Sequence, residues 1–125
     1  MLKDTEKTMK ELAGRLWVFP LADYLSSESF LVFCRQYDLE DRWKEYLELS
    51  RDIPELYGNA VIKNAFVRFL HHIYSSRPGE FLSLFALLMR DFSGRISCTL
   101  PVDDLRSDLL HLGYSDREIA LHNPG

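Results

Sequence analysis

The chain has 125 residues, of which 46% are hydrophobic and 27% are charged, and 15 basic against 19 acidic residues give a formal net charge of -4. This length and composition predict one globular domain that buries roughly two-thirds of the surface of its unfolded chain, so no disulfide is needed for stability. The net negative charge disfavours sequence-independent binding to nucleic acid, because contact with many phosphates requires a basic surface.

Neither export nor membrane insertion is expected from the sequence. Residues 1–7 carry charges of both signs and lack the apolar core of a signal peptide. The longest apolar run, 81–89, falls far short of the roughly 20 residues that a membrane-spanning helix requires. Cys34 and Cys98 have apolar neighbours and are predicted to be reduced, which suits a cytoplasmic protein.

Apolar spacing predicts three helices in the first part of the chain. They cover about 3–17, 30–37 and the residues after Asp38, and a loop follows over 52–59. Pro20 ends the first helix because its ring cannot continue one. The serines within 26–29 supply capping side chains for the second helix, although residues 30–33 alone would also fit a buried strand. Asp38 is predicted to cap the third helix, whose apolar face carries Leu39, Trp43, Tyr46 and Leu47.

A hydrophobic helical hairpin over about 59–92 is predicted to form the centre of the domain. The apolar residues of its first arm recur at helical spacing, and Ser-Ser-Arg-Pro-Gly at 75–79 marks the turn. The second arm is apolar around nearly its whole circumference until 93–95 (Ser-Gly-Arg), where we expect the helix to end. Such a helix must be covered on nearly every side. Either the other helices surround it, or one side is kept for a partner.

The C-terminal part carries clear helix signals. Pro101 suits a first helical position, and Gly113 provides a left-handed C-cap. Ser115 and Glu118 form a capping box for a short terminal helix. We therefore predict an all-α fold, a compact bundle of five or six helices around the hairpin, in a single domain over 1–121. Residues 122–125 are predicted to be a tail or the start of a linker.

One face of the first hairpin arm is polar. It carries Asn64, Arg68, His71, His72 and Ser75. Arginine and histidine there could bind a phosphate, or form a ribonuclease-like site in which histidine is the general acid or base. Alternatively, these residues have no ligand and only form the solvent-exposed face that any amphipathic helix has. The adjacent His71 and His72 diverge by about 100° on a helix, so they cannot both ligate one metal ion without distortion.

A second polar set lies on the helix that follows Pro101. Asp104, Asp108 and His111 are spaced to share one face, with Ser107 beside them. Two carboxylates and an imidazole suit a hard metal ion or acid–base chemistry. Acidic residues in a first helical turn also stabilise the helix dipole without any ligand. Because no matching motif occurs elsewhere, we predict no metal site and no cofactor.

An Arg-x4-His spacing occurs twice, from Arg106 to His111 and from Arg117 to His122. With the polar Ser107 after the first arginine, this spacing resembles the short signature of HEPN-type ribonucleases, which are small and helical. The resemblance implies ribonuclease activity. The chain departs from that family in lacking a clear four-helix up-and-down pattern. Residues five apart also diverge by about 140° around a helix axis, so convergence would require local distortion or a dimer.

A broader resemblance covers about 55–118. It rests on the segments 69–74, 77–82, 105–110 and 112–114, the last of which reads Leu-Gly-Tyr. Together they resemble helical N-terminal domains of prokaryotic abortive-infection and related defence proteins, in which such modules precede a C-terminal effector domain. The resemblance implies an adaptor-like role in a larger protein and carries over no site residues.

The sequence therefore predicts a protein–protein interaction or self-association module and not an enzyme. The partner is another protein or further copies of this chain. If a hydrophobic face of the second hairpin arm is exposed, Phe81, Phe85 and Met89 are the candidate anchors, because aromatic and methionine side chains are enriched at interfaces. The alternative is a small ribonuclease or RNA-binding protein. Its site residues would be Arg68, His71, His72, Arg106 and His111.

Overall fold

The computed structural model describes residues 2–17, 20–96 and 100–121, and within these ranges the chain forms helices and no strand. The helices are α1 (Leu2–Leu16), α2 (Leu21–Leu25), α3 (Glu28–Gln36), α4 (Glu40–Arg51), α5 (Asn59–Ser76), α6 (Phe81–Ile96), α7 (Val102–His111) and α8 (Asp116–Leu121). The all-α prediction is confirmed, and residues 30–33 are helical. Cys98 and the predicted tail 122–125 lie outside the described ranges. None of the described helices is both long enough and apolar enough to cross a membrane.

The junction between α3 and α4 differs from the prediction. Ser27 caps α3 as expected, with its Oγ accepting a backbone N–H three residues on. Asp38 does not cap α4: its φ is 59°, and it is the left-handed residue that ends α3. Just beyond it, the Leu39 N–H donates to the Cys34 carbonyl at 2.7 Å, the long bond of a Schellman motif. This tight turn places Leu39 in the core, where its side chain is completely buried. The free energy gained by burying Leu39 outweighs the cost of a positive φ at Asp38.

The hydrophobic core is built around the predicted hairpin of α5 and α6. The backbone of α5 packs closely against α1, α2 and α4. Within the part of the chain that the structure describes, no helix backbone approaches α6 as closely, and α6 enters the core through its large side chains. Among the side chains of α6 that the structure describes, Leu87 is the one large apolar residue that is not buried. The other positions that reach solvent are polar or glycine, and they are Ser83, Arg90, Asp91, Ser93, Gly94 and Arg95. The chain's own helices therefore cover the apolar circumference of α6.

The predicted end of the second arm at 93–95 is wrong, because α6 continues to Ile96. Gly94 lies on the exposed side, and a helical glycine costs about 1 kcal/mol relative to alanine. Phe92 is completely buried one turn earlier, and burying a phenylalanine contributes about 1.5–3 kcal/mol. Asp91 and Arg95 add an i, i+4 ion pair at 3.3 Å. Together, the burial of Phe92 and this ion pair contribute more free energy than one glycine costs in helix propensity.

Two of the C-terminal signals are confirmed, whereas Pro101 takes the N-cap position and not the first helical position, because α7 begins at Val102. Gly113 has a φ of 105°, and the Tyr114 N–H donates to the carbonyl of Leu109, as a Schellman ending requires. Ser115 and Glu118 exchange backbone-to-side-chain hydrogen bonds of 3.0 and 3.1 Å, which is the capping box. The Tyr114 hydroxyl then donates to the carbonyl of Pro78, so the end of α7 is tied to the hairpin turn.

Candidate functional site

A groove of ≈ 710 Å³ runs along the polar face of α5. We call it the α5 groove. It is lined by Glu6, Lys10, Tyr46, Leu56, Ala60, Lys63, Asn64, Val67, Arg68, His71, His72 and Ser75, which come from α1, α4, the loop after α4 and α5. The polar face that the sequence predicted is therefore one wall of a concave surface. The other walls come from segments distant in sequence, which helical spacing alone does not reveal.

The helical periodicity of α5 explains why its polar residues lie together on the side that lines the groove. Asn64, Arg68, His71 and Ser75 repeat at intervals of four, three and four, so they form one stripe. The opposite stripe, which includes Phe66 and Phe69, is completely buried. Because the core holds one face of the helix, the other must face outward.

Two cations of the groove have no acidic partner. Lys10 pairs with Glu6 at 3.6 Å, whereas within the described residues neither Lys63 nor Arg68 forms an ion pair with a carboxylate. The Lys63 ammonium lies 5.8 Å from the ring centroid of Trp17, a cation–π arrangement. The two cations therefore give the groove a local positive charge on a chain whose net charge is negative.

Asn64 orients Arg68 within the groove. Its Oδ1 accepts from Arg68 Nε at 3.0 Å and from the buried Ser50 hydroxyl of α4 at 2.8 Å. The double acceptor fixes the amide between two helices and holds the stem of the exposed guanidinium. Preorganisation of this kind lowers the entropy lost when an arginine binds a ligand.

His71 and His72 make separate contacts. The Nδ1 of His71 lies 3.4 Å from the Ser75 hydroxyl, and that of His72 lies 3.3 Å from the Ser76 hydroxyl, so each contacts its own i+4 neighbour. The His72 ring lies against Tyr46, with 6.0 Å between centroids. Burial lowers the pKa of His72 below its usual value, and the nearby positive charge of Arg42 lowers it further. The neutral form of His72 is therefore favoured, and its ring offers the groove an aromatic surface.

Arg106 and His111, the other members of the predicted ribonuclease set, do not line the α5 groove. Arg106 pairs with Asp116 of α8 through Nη2 at 2.5 Å and Nε at 2.7 Å. His111 lies with Glu11 and Asp108, between α7 and α1. The five residues of that set are thus distributed over three places. His122, the partner of Arg117 in the second Arg-x4-His spacing, lies outside the described residues.

A second groove, of ≈ 480 Å³, lies between α6, α7 and α8. Its lining includes Phe85, Met89, Leu105 and Ile119, with Arg106 among the polar residues. Phe85 and Met89 are only 5% and 0% exposed, and Phe81 is 0% exposed and contacts Tyr74, Phe85 and Tyr114. Phe85 and Met89 therefore border the second groove but expose little of their own surface, and Phe81 is a core residue. Among the described residues these three predicted anchors do not form an exposed hydrophobic face.

The acidic set predicted on α7 is completed by a residue of α1. Ligand atoms of Glu11, Asp108 and His111 all lie within 4.8 Å of one another, whereas Asp104 lies 3.8 Å from Arg15. Burial raises the pKa of the Asp108 carboxyl; the Glu11 carboxylate raises it further, and the ion pair with Arg15 opposes both. No linear spacing could have found Glu11, because the contact depends on how α1 docks against α7.

Comparison with protein-family models, with curated proteins and with solved structures finds no match to this chain.

Proposed function

We propose that the chain is a protein–protein interaction module that binds an acidic, amphipathic segment of a partner protein in the α5 groove. The main observation behind this proposal is that the groove is positively charged although the chain as a whole is negatively charged. The chain has a net charge of -4, but the ionised residues that line the groove are Lys10, Lys63 and Arg68 against Glu6. Complementary charge favours and steers the encounter with an oppositely charged partner.

The floor of the groove favours a peptide that also carries apolar side chains. Tyr46, Leu56, Ala60 and Val67 supply apolar surface to its lining. Binding energy at interfaces comes mainly from apolar and aromatic contacts that exclude water, with charges at the rim adding specificity. An occupant that alternates carboxylates with apolar residues matches both features.

Nucleic acid fits the groove less well than a peptide. A phosphate backbone repeats its charge continuously, so its binding requires an extended basic surface. The groove carries three basic residues, and the negative charge of Glu45 on α4 acts on His72 at its edge. The dispersal of the Arg/His set over three places also supports an interaction role over a catalytic one. An interaction module of this kind suits the adaptor role that the resemblance to prokaryotic defence proteins implies.

Fluorescence anisotropy with defined probes tests the proposal. The first probe is a labelled peptide in which Asp and Glu alternate with Leu and Phe. The comparison probes are the same peptide with lysine in place of each acid, and an oligouridylate RNA. We expect only the acidic peptide to bind, with Lys63→Glu and Arg68→Glu each weakening it at least tenfold, which corresponds to about 1.4 kcal/mol. Arg90→Glu is the matched control, because Arg90 is an exposed arginine on α6 outside both grooves.

The other outcomes identify the competing functions. Tighter binding of the RNA than of the acidic peptide, weakened by Arg68→Glu, would replace the proposal with the nucleic-acid alternative. Light scattering after size exclusion, over a tenfold range of protein concentration, tests self-association. A concentration-dependent dimer that Arg68→Glu dissociates would mean that a second copy occupies the groove. Circular dichroism of each variant confirms that it is folded.

A further inference from the structure

The side chains between α1 and α7 form a mixed set of nitrogen and oxygen donors. Glu11 comes from α1, and Asp108 and His111 come from α7, where their spacing of three places them on the same side of the helix. The three ligand atoms lie within 4.8 Å of one another. Asp108 is completely buried, whereas His111 is exposed, so the set opens from the helix interface to solvent.

Two carboxylates this close together require a positive charge between them. Arg15 supplies one, since its Nε lies 2.6 Å from Asp108 Oδ2 and its Nη1 lies 3.8 Å from Asp104. Arg15 therefore pairs with both Asp104 and Asp108, and the negative charge of Glu11 also acts on its guanidinium. Either a proton shared by Glu11 and Asp108 or a bound cation would relieve the remaining repulsion. A shared proton would not require the imidazole of His111, whereas a metal ion would use it.

The geometry points to a site for a divalent first-row transition-metal ion of the Zn²⁺ class, held by Glu11, Asp108 and His111 between α1 and α7. Imidazole nitrogen with carboxylate oxygen is the donor set that zinc takes in proteins. Tetrahedral zinc with bonds of about 2.0–2.1 Å separates its ligand atoms by roughly 3.4 Å. Rotation of the Glu11 and His111 side chains, both of which reach the surface, closes the difference from 4.8 Å.

Arg15 contributes to this site without binding the ion. Ligating carboxylates are held in orientation by hydrogen bonds from a surrounding shell of residues. The Arg15 guanidinium does this for Asp108, with a second contact from Nη2 to Oδ1 at 3.4 Å. The ion would therefore join α1 to α7 at the point where the Arg15 ion pair already connects them. This inference does not depend on the proposed function of the α5 groove.

The test is metal uptake by the full, tag-free chain. Isothermal titration with ZnSO₄ is expected to show one saturable site, and the thermal midpoint should rise with Zn²⁺ concentration because the ion binds only the folded state. Co²⁺ should produce visible ligand-field bands. His111→Ala and Glu11→Gln should each weaken Zn²⁺ binding at least tenfold and remove the Co²⁺ bands. His71→Ala is the matched control, because it removes a histidine from the α5 groove and leaves this site intact.

Two results would overturn the inference. One is wild-type protein that shows neither saturable Zn²⁺ binding nor Co²⁺ bands, which would mean that the three side chains do not form a site for such an ion. The other is Zn²⁺ binding that is unchanged in both His111→Ala and Glu11→Gln, which would place the ion elsewhere on the chain. The thermal midpoints of the metal-free variants, measured in EDTA, show whether each is folded before titration.

Discussion

Arg15 of α1 and Asp108 of α7 form an unequal ion pair: the side chain of Asp108 is 0% exposed, whereas that of Arg15 is 34% exposed. The aspartate depends on the arginine for its charge partner, but the arginine retains access to water and to Asp104. The two residues are 93 positions apart in the sequence, and their bond joins the N-terminal helix to the C-terminal part of the fold.

This inequality predicts that the two ends of the pair are not equivalent in mutagenesis. Arg15→Met leaves a buried carboxylate beside Glu11 without a cation, so it should lower the urea midpoint more than Asp108→Leu does. The double variant should be more stable than Arg15→Met alone, because it removes the stranded charge. Urea unfolding at pH 7 in EDTA, followed by circular dichroism, measures all four proteins. Strictly additive changes in the free energy of unfolding would contradict the coupling.

Truncation of Phe81 tests whether this residue belongs to the core or to an interface. Phe81 is completely buried against the rings of Tyr74, Phe85 and Tyr114, so Phe81→Ala should cost about 3–5 kcal/mol of folding free energy. Val32→Ala, at a residue that is 51% exposed, should change stability by less than about 0.5 kcal/mol. Chemical denaturation compares the two variants. A Phe81→Ala protein as stable as wild type would argue that this side chain is not part of the core.

Substitution by alanine should change the stability of the fold in opposite directions at Gly94 and at Gly113, although both glycines have open space around them. Apart from the adjoining backbone, no described heavy atom lies within 4 Å of an added Cβ at either Gly94 or Gly113. Gly94 is inside α6, so Gly94→Ala should stabilise the fold by about 0.5–1 kcal/mol. Gly113 has a φ of +105°, so Gly113→Ala should destabilise it by about 1 kcal/mol or more. Thermal unfolding measures both variants, and changes of the same sign would contradict the backbone argument.

Cys34 should be a poorly reactive thiol. Burial raises its pKa from 9.0 to about 12, with a smaller contribution from the Glu40 carboxylate. At pH 8 the folded protein then holds about a thousandfold less Cys34 thiolate than an ordinary thiol, and thiolate is the species that alkylates. Because the folded pKa lies above the unfolded one, this thiol's contribution to stability is complete below pH 9 and is lost as pH rises towards 12. Iodoacetamide labelling with peptide mapping measures Cys34 separately. Rapid labelling of the folded protein at pH 8 would contradict the burial.

Local signals predicted most of the helices and their caps. Ser27, Gly113 and the Ser115/Glu118 capping box act through bonds within a few residues, so spacing was sufficient to place them. Asp38 and Gly94 were misjudged because distant contacts decide there. The burial of Leu39 favours a tight turn after α3, and the burial of Phe92 favours a longer α6.

For the candidate sites too, the sequence predicted the contacts within one helix but not the contacts between helices. The stripe of Asn64, Arg68, His71 and Ser75 could be predicted, because helical periodicity determines which residues of one helix share a face. That Tyr46 and Lys10 complete a groove around this stripe could not be predicted, since it depends on how α4 and α1 pack against α5.

The sequence by itself determined that this protein is helical, which residues of each helix face the core, and where most helices begin and end. These properties follow from a 3.6-residue period and from hydrogen bonds that span four residues. Only the tertiary structure decided which polar faces meet. It placed Asp108 beside Arg15 and Glu11, and it separated Arg68 from Arg106. Contacts between helices depend on docking geometry and side-chain volume, which spacing along one chain does not specify.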